Sequence, residues 1–464
     1  MGERRDIALN RWNGIVFVPV LLGMVTMQVL LIVGTIREGT IVPALVAAVV
    51  LLLLSFYRAL LGICAIILLQ YFTLASTEQV TGAEILWTLL FFSVVAGWLI
   101  RKVVFRQERI VRTVPETGIV VFLLLCLTSV LLAAAQNTSL TSWFRKLFPL
   151  LGYLLYFPIV DTIKGSRQLK LMVVCFLLLG LSIGIRNFVF FKNVAASIRY
   201  AFQVGGARQN FCEPFFLTIF VVAYSISLYV KSKLQRISYT ALAILSFIIL
   251  IFTLSRGYWI ASVVCIAALF ILLPLRKKMS LVLHFALIGS VMIVFIDVVL
   301  GAPAVWGIVE RILSIGQVGR DVAMQERFYE TKAVLALIKA NPFTGYGLGA
   351  TYSYRSLVHH AMPVWYIHNA YLYLMFTLGT VGLVAYLVFY IGMLRRGLAL
   401  LRRRLNRFQR GLVQGIACVF IGMLAVSITS PQFAQKTSIL VIVLGSAIIE
   451  ILWRAKSGSC AENS

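Results

Sequence analysis

The chain has 464 residues, of which 61% are hydrophobic and 12% are charged. Soluble domains carry roughly 45–50% apolar and about 25% charged residues, so this composition excludes a soluble protein. The 42 Lys and Arg residues outnumber the 16 Asp and Glu residues and give a net charge of +26. Because nucleic-acid-binding proteins also carry a large basic surplus, the positions of these charges decide between the two classes.

Long apolar segments separated by charged or turn-like breaks predict an all-α polytopic membrane protein with about 14 (12–14) transmembrane helices. The segments are continuous rather than alternating, which excludes a closed β-barrel. The predicted spans are 14–34, 41–56, 59–75, 84–100, 117–135, 147–160, 170–190, 212–230, 237–254, 258–275, 279–300, 367–394, 411–430 and 436–453.

Basic clusters fall on alternate connections between these spans, as at 101–112, 276–278 and 395–410. Cytoplasmic connections of membrane proteins carry an excess of Lys and Arg. Both termini are therefore predicted to lie in the cytoplasm, and most of the positive charge sets the topology. The run from Arg402 to Arg410 contains Phe408 as its single aromatic residue, which argues against nucleic-acid binding.

The outward connection 301–366 is much longer than the others, and long connections in compact folds are usually functional. It divides one integrated membrane domain into an eleven-span N-terminal region, 1–300, and a C-terminal membrane region with a short cytoplasmic tail, 367–464. We therefore expect the chemistry on the outward, periplasmic side.

An amphipathic helix is predicted within this loop, from about Val322 to Lys339. The spacing of four apolar residues suggests a face that rests on the membrane surface. Asn341-Pro342 ends the helix, and a glycine-rich turn with Gly345, Gly347 and Gly349 follows. The four apolar residues are Met324, Phe328, Leu335 and Ile338.

Arg256, in Ser255-Arg256-Gly257, lies between two apolar runs with almost no loop between them. A charge at mid-span costs roughly 2.5–3.5 kcal/mol on insertion scales, so Arg256 is expected to face a cavity or a partner. Arg clamps phosphate bidentately, which favours an anionic ligand. The alternative is that outward cations, Arg186 and Lys192 above all, extend to lipid headgroups. Further outward cations are Arg199, Arg208, Arg320 and Arg327, with Glu213 as the nearby acid.

The four histidines differ in their positions. His284 lies within a span, where packing explains it, and His359-His360 lie in the outward loop. His368 begins the twelfth span at the outer boundary, and imidazole suits acid–base chemistry near neutral pH. The alternative for His368 is an interfacial residue at a helix start. No His/Cys/Asp/Glu cluster has metal-ligand spacing, so no metal site is expected.

Several elements in order along the chain resemble the O-antigen ligase/polymerase family. They are the Ser255-Arg256-Gly257 triplet, Arg327, the run Asn341-Pro342-Phe343-Thr344-Gly345-Tyr346-Gly347-Leu348-Gly349, His368-Asn369-Ala370-Tyr371-Leu372, and Leu378-Gly379-Thr380-Val381-Gly382. The segment Gln209-Asn210-Phe211-Cys212-Glu213-Pro214 departs from the Asn-Pro-Asn type motif of many relatives, which leaves the role of Arg208 open.

The resemblance implies a bacterial inner-membrane glycosyltransferase with a GT-C-like helical fold. Such enzymes move a glycan from undecaprenyl diphosphate, on the periplasmic side, to a hydroxyl of lipid A-core or of a growing glycan. They use no nucleotide sugar, metal or other cofactor. The resemblance implies that Arg256 binds the donor diphosphate, supported by Arg208 or Arg199 and by Arg327. It implies that His368 acts on the acceptor hydroxyl. The residues that would support the loop or turn are Gly345, Gly347, Gly349, Asn369 and Tyr371.

Three alternatives stay open. The motifs fit a polymerase as well as a ligase, with a slight preference for a ligase. A flippase or secondary transporter is less favoured, because mid-span acids are scarce and no repeat relates the two halves. A non-catalytic assembly subunit would be favoured if Arg256 and His368 tolerated substitution.

Overall fold

The computed structural model describes residues 55–56, 58–73, 82–195, 212–275, 277–279, 289–290, 309, 322–354 and 364–461. Within these ranges the chain is helical, and its one pairing of extended segments is an antiparallel bridge between Tyr352 and Val364. The α-helices are α1 (Ala59–Leu69), α2 (Gly82–Leu99), α3 (Val114–Ala135), α4 (Leu140–Leu151), α5 (Tyr156–Thr162), α6 (Ser166–Ala195), α7 (Glu213–Ser227), α8 (Lys233–Phe252), α9 (Arg256–Leu272), α10 (Val322–Ala340), α11 (Ala370–Leu400), α12 (Arg407–Val426) and α13 (Lys436–Ala461).

Seven helical segments of the described chain are long and apolar enough to cross a membrane. They are Glu84–Phe105, Val114–Ala135, Ser166–Asn187, Lys233–Phe252, Ala370–Leu400, Arg407–Val426 and Lys436–Ser457. This result is consistent with the predicted all-α polytopic membrane protein. The number fourteen stays a prediction, because span 14–34 and most of spans 41–56 and 279–300 fall outside the described residues.

The predicted span 147–160 is wrong in its form. The chain there consists of α4, a 3-10 turn at Gly152–Leu155, and α5. Pro149 lies inside α4 and removes one hydrogen bond from its ladder, and the α-helix ends two residues later at Leu151. In α4, Leu140 and Phe144 are exposed, whereas Leu147 and Leu150 are buried. This division is typical of a helix at an apolar–polar boundary.

The chain divides into two compact units, one comprising Met1–Arg109 and Asp161–Ser182 and the other Ile110–Val160 and Ile183–Ser464. In the first unit, the ammonium of Lys102 pairs with the carboxylate of Asp161. The indole Nε1 of Trp98 donates to Asp161 Oδ2 at 2.8 Å. The second unit contains every described residue of the candidate site.

A buried ion network joins helix termini within the second unit. Glu116 at the start of α3 and Glu450 near the end of α13 are both buried. Arg454 Nε lies 2.8 Å from Glu450 Oε1, and its guanidinium also pairs with Glu116. Arg396, near the end of α11, pairs with Glu450. Arg396 and Arg454 both belong to segments that the charge pattern assigns to the cytoplasmic side, and that orientation stays a prediction.

Candidate functional site

His368 and Glu330 form the central contact of the site. Glu330 Oε1 accepts from the backbone N–H of His368 at 2.7 Å, and Glu330 Oε2 lies 2.6 Å from His368 Nδ1. The carboxylate is buried, whereas the imidazole is 39% exposed. A carboxylate accepts hydrogen bonds, so this contact favours a proton on Nδ1 and a lone pair on Nε2. One acidic side chain thereby orients both the ring and the backbone of His368.

Helix α10 supplies Glu330 and is observed where the sequence predicted it, with one further residue. Glu330, Val334 and Ile338 repeat every four residues and are all buried. Phe328 and Leu335, in contrast, are exposed. The prediction that Ile338 shares the apolar outer face with these two is therefore wrong: Ile338 lies on the protein-facing stripe, together with Glu330.

Tyr366 connects His368 to the segment between α12 and α13. The rings of Tyr366 and His368 meet edge to face, with centroids 4.8 Å apart. Ser430 and Gln435, which are hydrogen-bonded to each other at 3.3 Å, lie near the Tyr366 hydroxyl. Burial raises the pKa of Tyr366, although the polar groups of Ser430 and Gln435 and the charge of Arg327 act in the opposite direction. Tyr366 is therefore a neutral, fixed side chain that packs against the imidazole.

Arg256 is the first residue of α9 and is half-buried. The tight turn before it holds Leu254 at φ +53°, a conformation that non-glycine residues rarely adopt. Gly257 allows α9 to approach the chain after α12, since a Cβ there would lie 2.7 Å from Thr429 Oγ1. The guanidinium thus adds its charge to the positive end of a helix dipole, an arrangement that favours an anion.

The segment 427–435 is the common neighbour of Arg256 and His368. On one side, Gly257 lies against Thr429, and the Tyr258 hydroxyl contacts Gln432 Oε1 at 2.5 Å. On the other side, Ser430 lies near the Tyr366 hydroxyl, and the carbonyl of Ser427 accepts from the N–H of Ala370 at 2.8 Å. The two residues that the sequence favoured most therefore belong to one region of the second unit.

Of the remaining predicted cations, Arg327 and Arg186 lie in the described part of the chain. Arg327 lies one turn before Glu330 on α10, is half-buried, and acts electrostatically on Tyr366. Arg186 is half-buried on α6. The predictions for Arg199 and Arg208 fall outside the described residues, as do those for Lys192's side chain, Arg320, His284, His359 and His360.

The glycine turn packs against helices. A positive φ of +70° at Gly379 interrupts α11 and frees carbonyls of the preceding turn. The N–H groups of Tyr346 and Gly347 donate to the carbonyls of Phe376 and Thr377 at 2.8 and 2.9 Å. Free backbone groups are costly in a membrane, so this pairing stabilises the break. Gly345, Gly347 and Gly349 also have positive φ and are buried against backbone of α11, α3 and α4, respectively.

Asn369 and Tyr371 hold the start of α11. The side chain of Asn369 caps the helix by accepting from the N–H groups of Tyr371 and Leu372 at 2.9 and 3.1 Å. The Tyr371 hydroxyl donates to the carbonyl of Leu424 in α12 at 2.9 Å. Both residues thus fix the position of His368 from its C-terminal side.

Sequence reasoning missed Glu330, together with Tyr366, Ser430 and Gln435. Glu213 is the acid that the sequence places near the outward cations, yet the acid that contacts His368 is Glu330. A signal was present, because Glu330 is a carboxylate in four-residue register with Val334 and Ile338 on the apolar stripe of α10. In the described part of the chain, no three His, Cys, Asp or Glu side chains come together as a metal site.

The stretch of sequence that contains the central residues of this site matches a known protein family. Residues 241–387 match the family model described as O-antigen ligase. This part of the chain, about a third of its length, is therefore similar to an O-antigen ligase domain. The match includes Arg256, Glu330, the glycine turn and His368, and it confirms the family resemblance drawn from the sequence. None of the curated proteins matches the chain. The O-antigen ligase domain and the apolar helices together indicate a multi-pass membrane protein with ligase- or polymerase-type function in polysaccharide biosynthesis.

Proposed function

We propose that the protein is a bacterial inner-membrane glycosyltransferase that moves a glycan from undecaprenyl diphosphate to an acceptor hydroxyl at the periplasmic face. In this proposal both termini are cytoplasmic, and the reaction is an O-antigen ligation that requires no metal. The observation that carries the proposal is the pairing of His368 with Glu330. A buried carboxylate on Nδ1 is the arrangement that prepares an imidazole to act as a general base through Nε2.

The proposed reaction is a single displacement at the anomeric carbon of the donor. Nε2 of His368 takes the proton of the acceptor hydroxyl while the oxygen bonds to the anomeric carbon of the donor. The bond between that carbon and the phosphate oxygen breaks, and undecaprenyl diphosphate leaves with the electron pair. Glu330 stabilises the imidazolium that forms, and the proton later passes to water.

The leaving diphosphate gains negative charge in the transition state and needs fixed positive charge nearby. Arg256 suits this role, because its guanidinium lies at the N-terminus of α9 and that helix adjoins the segment that also contacts Tyr366. Arg327 supports it from α10. Arg208 or Arg199 is the proposed further ligand. The glycine turn acts at a distance by fixing α11.

The test is the glycolipid profile of a strain that lacks this chain, complemented with the wild type or with His368→Ala. The proposal predicts that the strain and His368→Ala both accumulate lipid-linked glycan and leave the acceptor unmodified. Short products with a single repeat unit on the acceptor would instead indicate a polymerase. A wild-type profile in both would reject the glycosyltransferase and return attention to transport.

A further inference from the structure

An exposed tryptophan lies close to His368, the proposed general base. Trp365 lies three residues before His368, and 53% of its surface is exposed. The ring of Tyr366 meets the ring of Trp365 edge to face at 5.8 Å and the ring of His368 in the same way at 4.8 Å. The segment is held in place by the bridge of Val364 to Tyr352. The indole is therefore a fixed aromatic surface one ring away from the imidazole.

A lysine of helix α4 covers this indole. Lys146 Nζ of α4 lies 2.9 Å from the centroid of the Trp365 ring. Burial and the charge of Arg145 lower the pKa of Lys146 to about 8. Within the described ranges no carboxylate forms an ion pair with Lys146. The ammonium has thus lost water without gaining an acidic partner among the described residues, and an anion bound beside it would relieve that cost.

The combination suits one class of ligand. The apolar C–H face of a sugar ring packs on an aromatic ring, and a phosphate or carboxylate on the same sugar pairs with an ammonium. The position favours the acceptor over the donor, because Trp365 belongs to the segment that leads into His368, whereas the proposed diphosphate site lies at α9.

We propose that Lys146 and Trp365 form a subsite for an anionic sugar of the acceptor glycan, next to the sugar whose hydroxyl reacts. This inference rests on the proposed function, since His368 defines which substrate is the acceptor. The subsite determines which acceptor is used, and it takes no part in the bond-making step.

The test uses the full chain in phosphatidylcholine vesicles with two glycolipid acceptors, one phosphorylated on the adjacent sugar and one dephosphorylated. In Lys146→Gln, KM for the phosphorylated acceptor should rise about tenfold, the loss of one charge-assisted hydrogen bond, at unchanged kcat. KM for the dephosphorylated acceptor should not change. Trp365→Ala should raise KM for both acceptors, and Trp365→Phe should recover part of the loss. Lys332→Gln, at an exposed position of α10, is the matched control.

Equal effects of Lys146→Gln on the two acceptors would overturn the subsite. An effect that follows added phosphatidylglycerol rather than the acceptor phosphate would overturn it in favour of a lipid headgroup site. Binding of both acceptors without donor separates the two proposals. If the wild type transfers nothing but prefers the phosphorylated acceptor, and Lys146→Gln abolishes this preference, the glycosyltransferase proposal fails and the subsite stands. Equal binding of both acceptors by the wild type refutes the subsite.

Discussion

Replacement of Glu330 by Gln is the most direct test of how the site works. The amide keeps an oxygen that can accept from the backbone N–H of His368, a contact of 2.7 Å in the structure. Its NH₂ group, however, then faces Nδ1 and donates where the carboxylate accepted at 2.6 Å. Nδ1 must become the acceptor, so the proton moves to Nε2, and the imidazole can no longer take a proton from the acceptor hydroxyl.

The expected loss follows from the contribution of general base catalysis. Such a base typically supplies 10²–10⁴-fold, and a comparable carboxylate-to-amide change in a catalytic triad costs about 10⁴ in kcat. Glu330→Gln should therefore lower kcat by about 10²–10⁴ with little change in KM for the acceptor. Glu326→Gln is the matched control, since Glu326 lies one turn earlier on α10 and accepts from the Tyr354 hydroxyl instead.

The tautomer provides a readout that a purely structural role would not change. The chain contains four histidines, so ¹⁵N labelling of histidine allows the His368 ring to be assigned by comparison with His368→Ala. The wild type should carry its proton on Nδ1, and Glu330→Gln should carry it on Nε2. A wild-type kcat in Glu330→Gln, or an unchanged tautomer with reduced kcat, would refute this reasoning.

The other predictions concern charge and backbone. Arg256→Lys should lower kcat by about 10²–10³ in transfer assays at unchanged membrane abundance, because an ammonium lacks the bidentate fork; full activity would remove Arg256 from the mechanism. Gly379→Ala, whose Cβ would lie 2.0 Å from the carbonyl oxygen of Phe343, should lower the melting temperature, whereas Gly165→Ala, with open space around it, should not. Glu450→Gln should destabilise the fold by about 3–5 kcal/mol in denaturant unfolding, because Arg396 loses its buried carboxylate partner and Arg454 keeps only Glu116; unaltered stability would contradict the buried network. The ammonium of Lys146 is present below its pKa of about 8 and lost above it, so the KM ratio of phosphorylated to dephosphorylated acceptor should rise between pH 7 and 9; it should stay constant in Lys146→Arg.

The parts of the site that could be predicted are those with local signals. Helix α10 has an apolar repeat and a clear stop at Asn341-Pro342, and the structure reproduces it. His368 and Arg256 could be identified as candidates from their chemistry and from flanking motifs that lie within a few residues of each.

What could not be predicted depends on contacts between distant parts of the chain. Glu330 reaches His368 across 38 residues, and Arg454 reaches Glu116 across 338. The charge pattern assigned Arg396 and Arg454 to the cytoplasmic side but gave no indication that buried acids would pair with them. The 3-10 turn between α4 and α5 could not be predicted, because an average hydropathy carries no signal of a change in backbone geometry within an apolar run.

The way in which the chain connects α10 to α11 explains why Glu330 and His368 keep their relative positions although they belong to separate elements. After Glu330 the chain leaves α10, and the glycine turn then binds the interrupted part of α11 through the Tyr346 and Gly347 N–H groups. From the other direction, the N–H and side-chain hydroxyl of Thr380 both donate to the carbonyl of Pro342, at 2.8 and 2.5 Å. The turn therefore fixes the end of α10 to the part of α11 around the break at Gly379. The capped first turn of α11, at the other end of that segment, holds His368. A break in a membrane helix usually weakens it; here the carbonyls of Phe376 and Thr377, freed by the break at Gly379, attach the turn that follows the helix carrying Glu330.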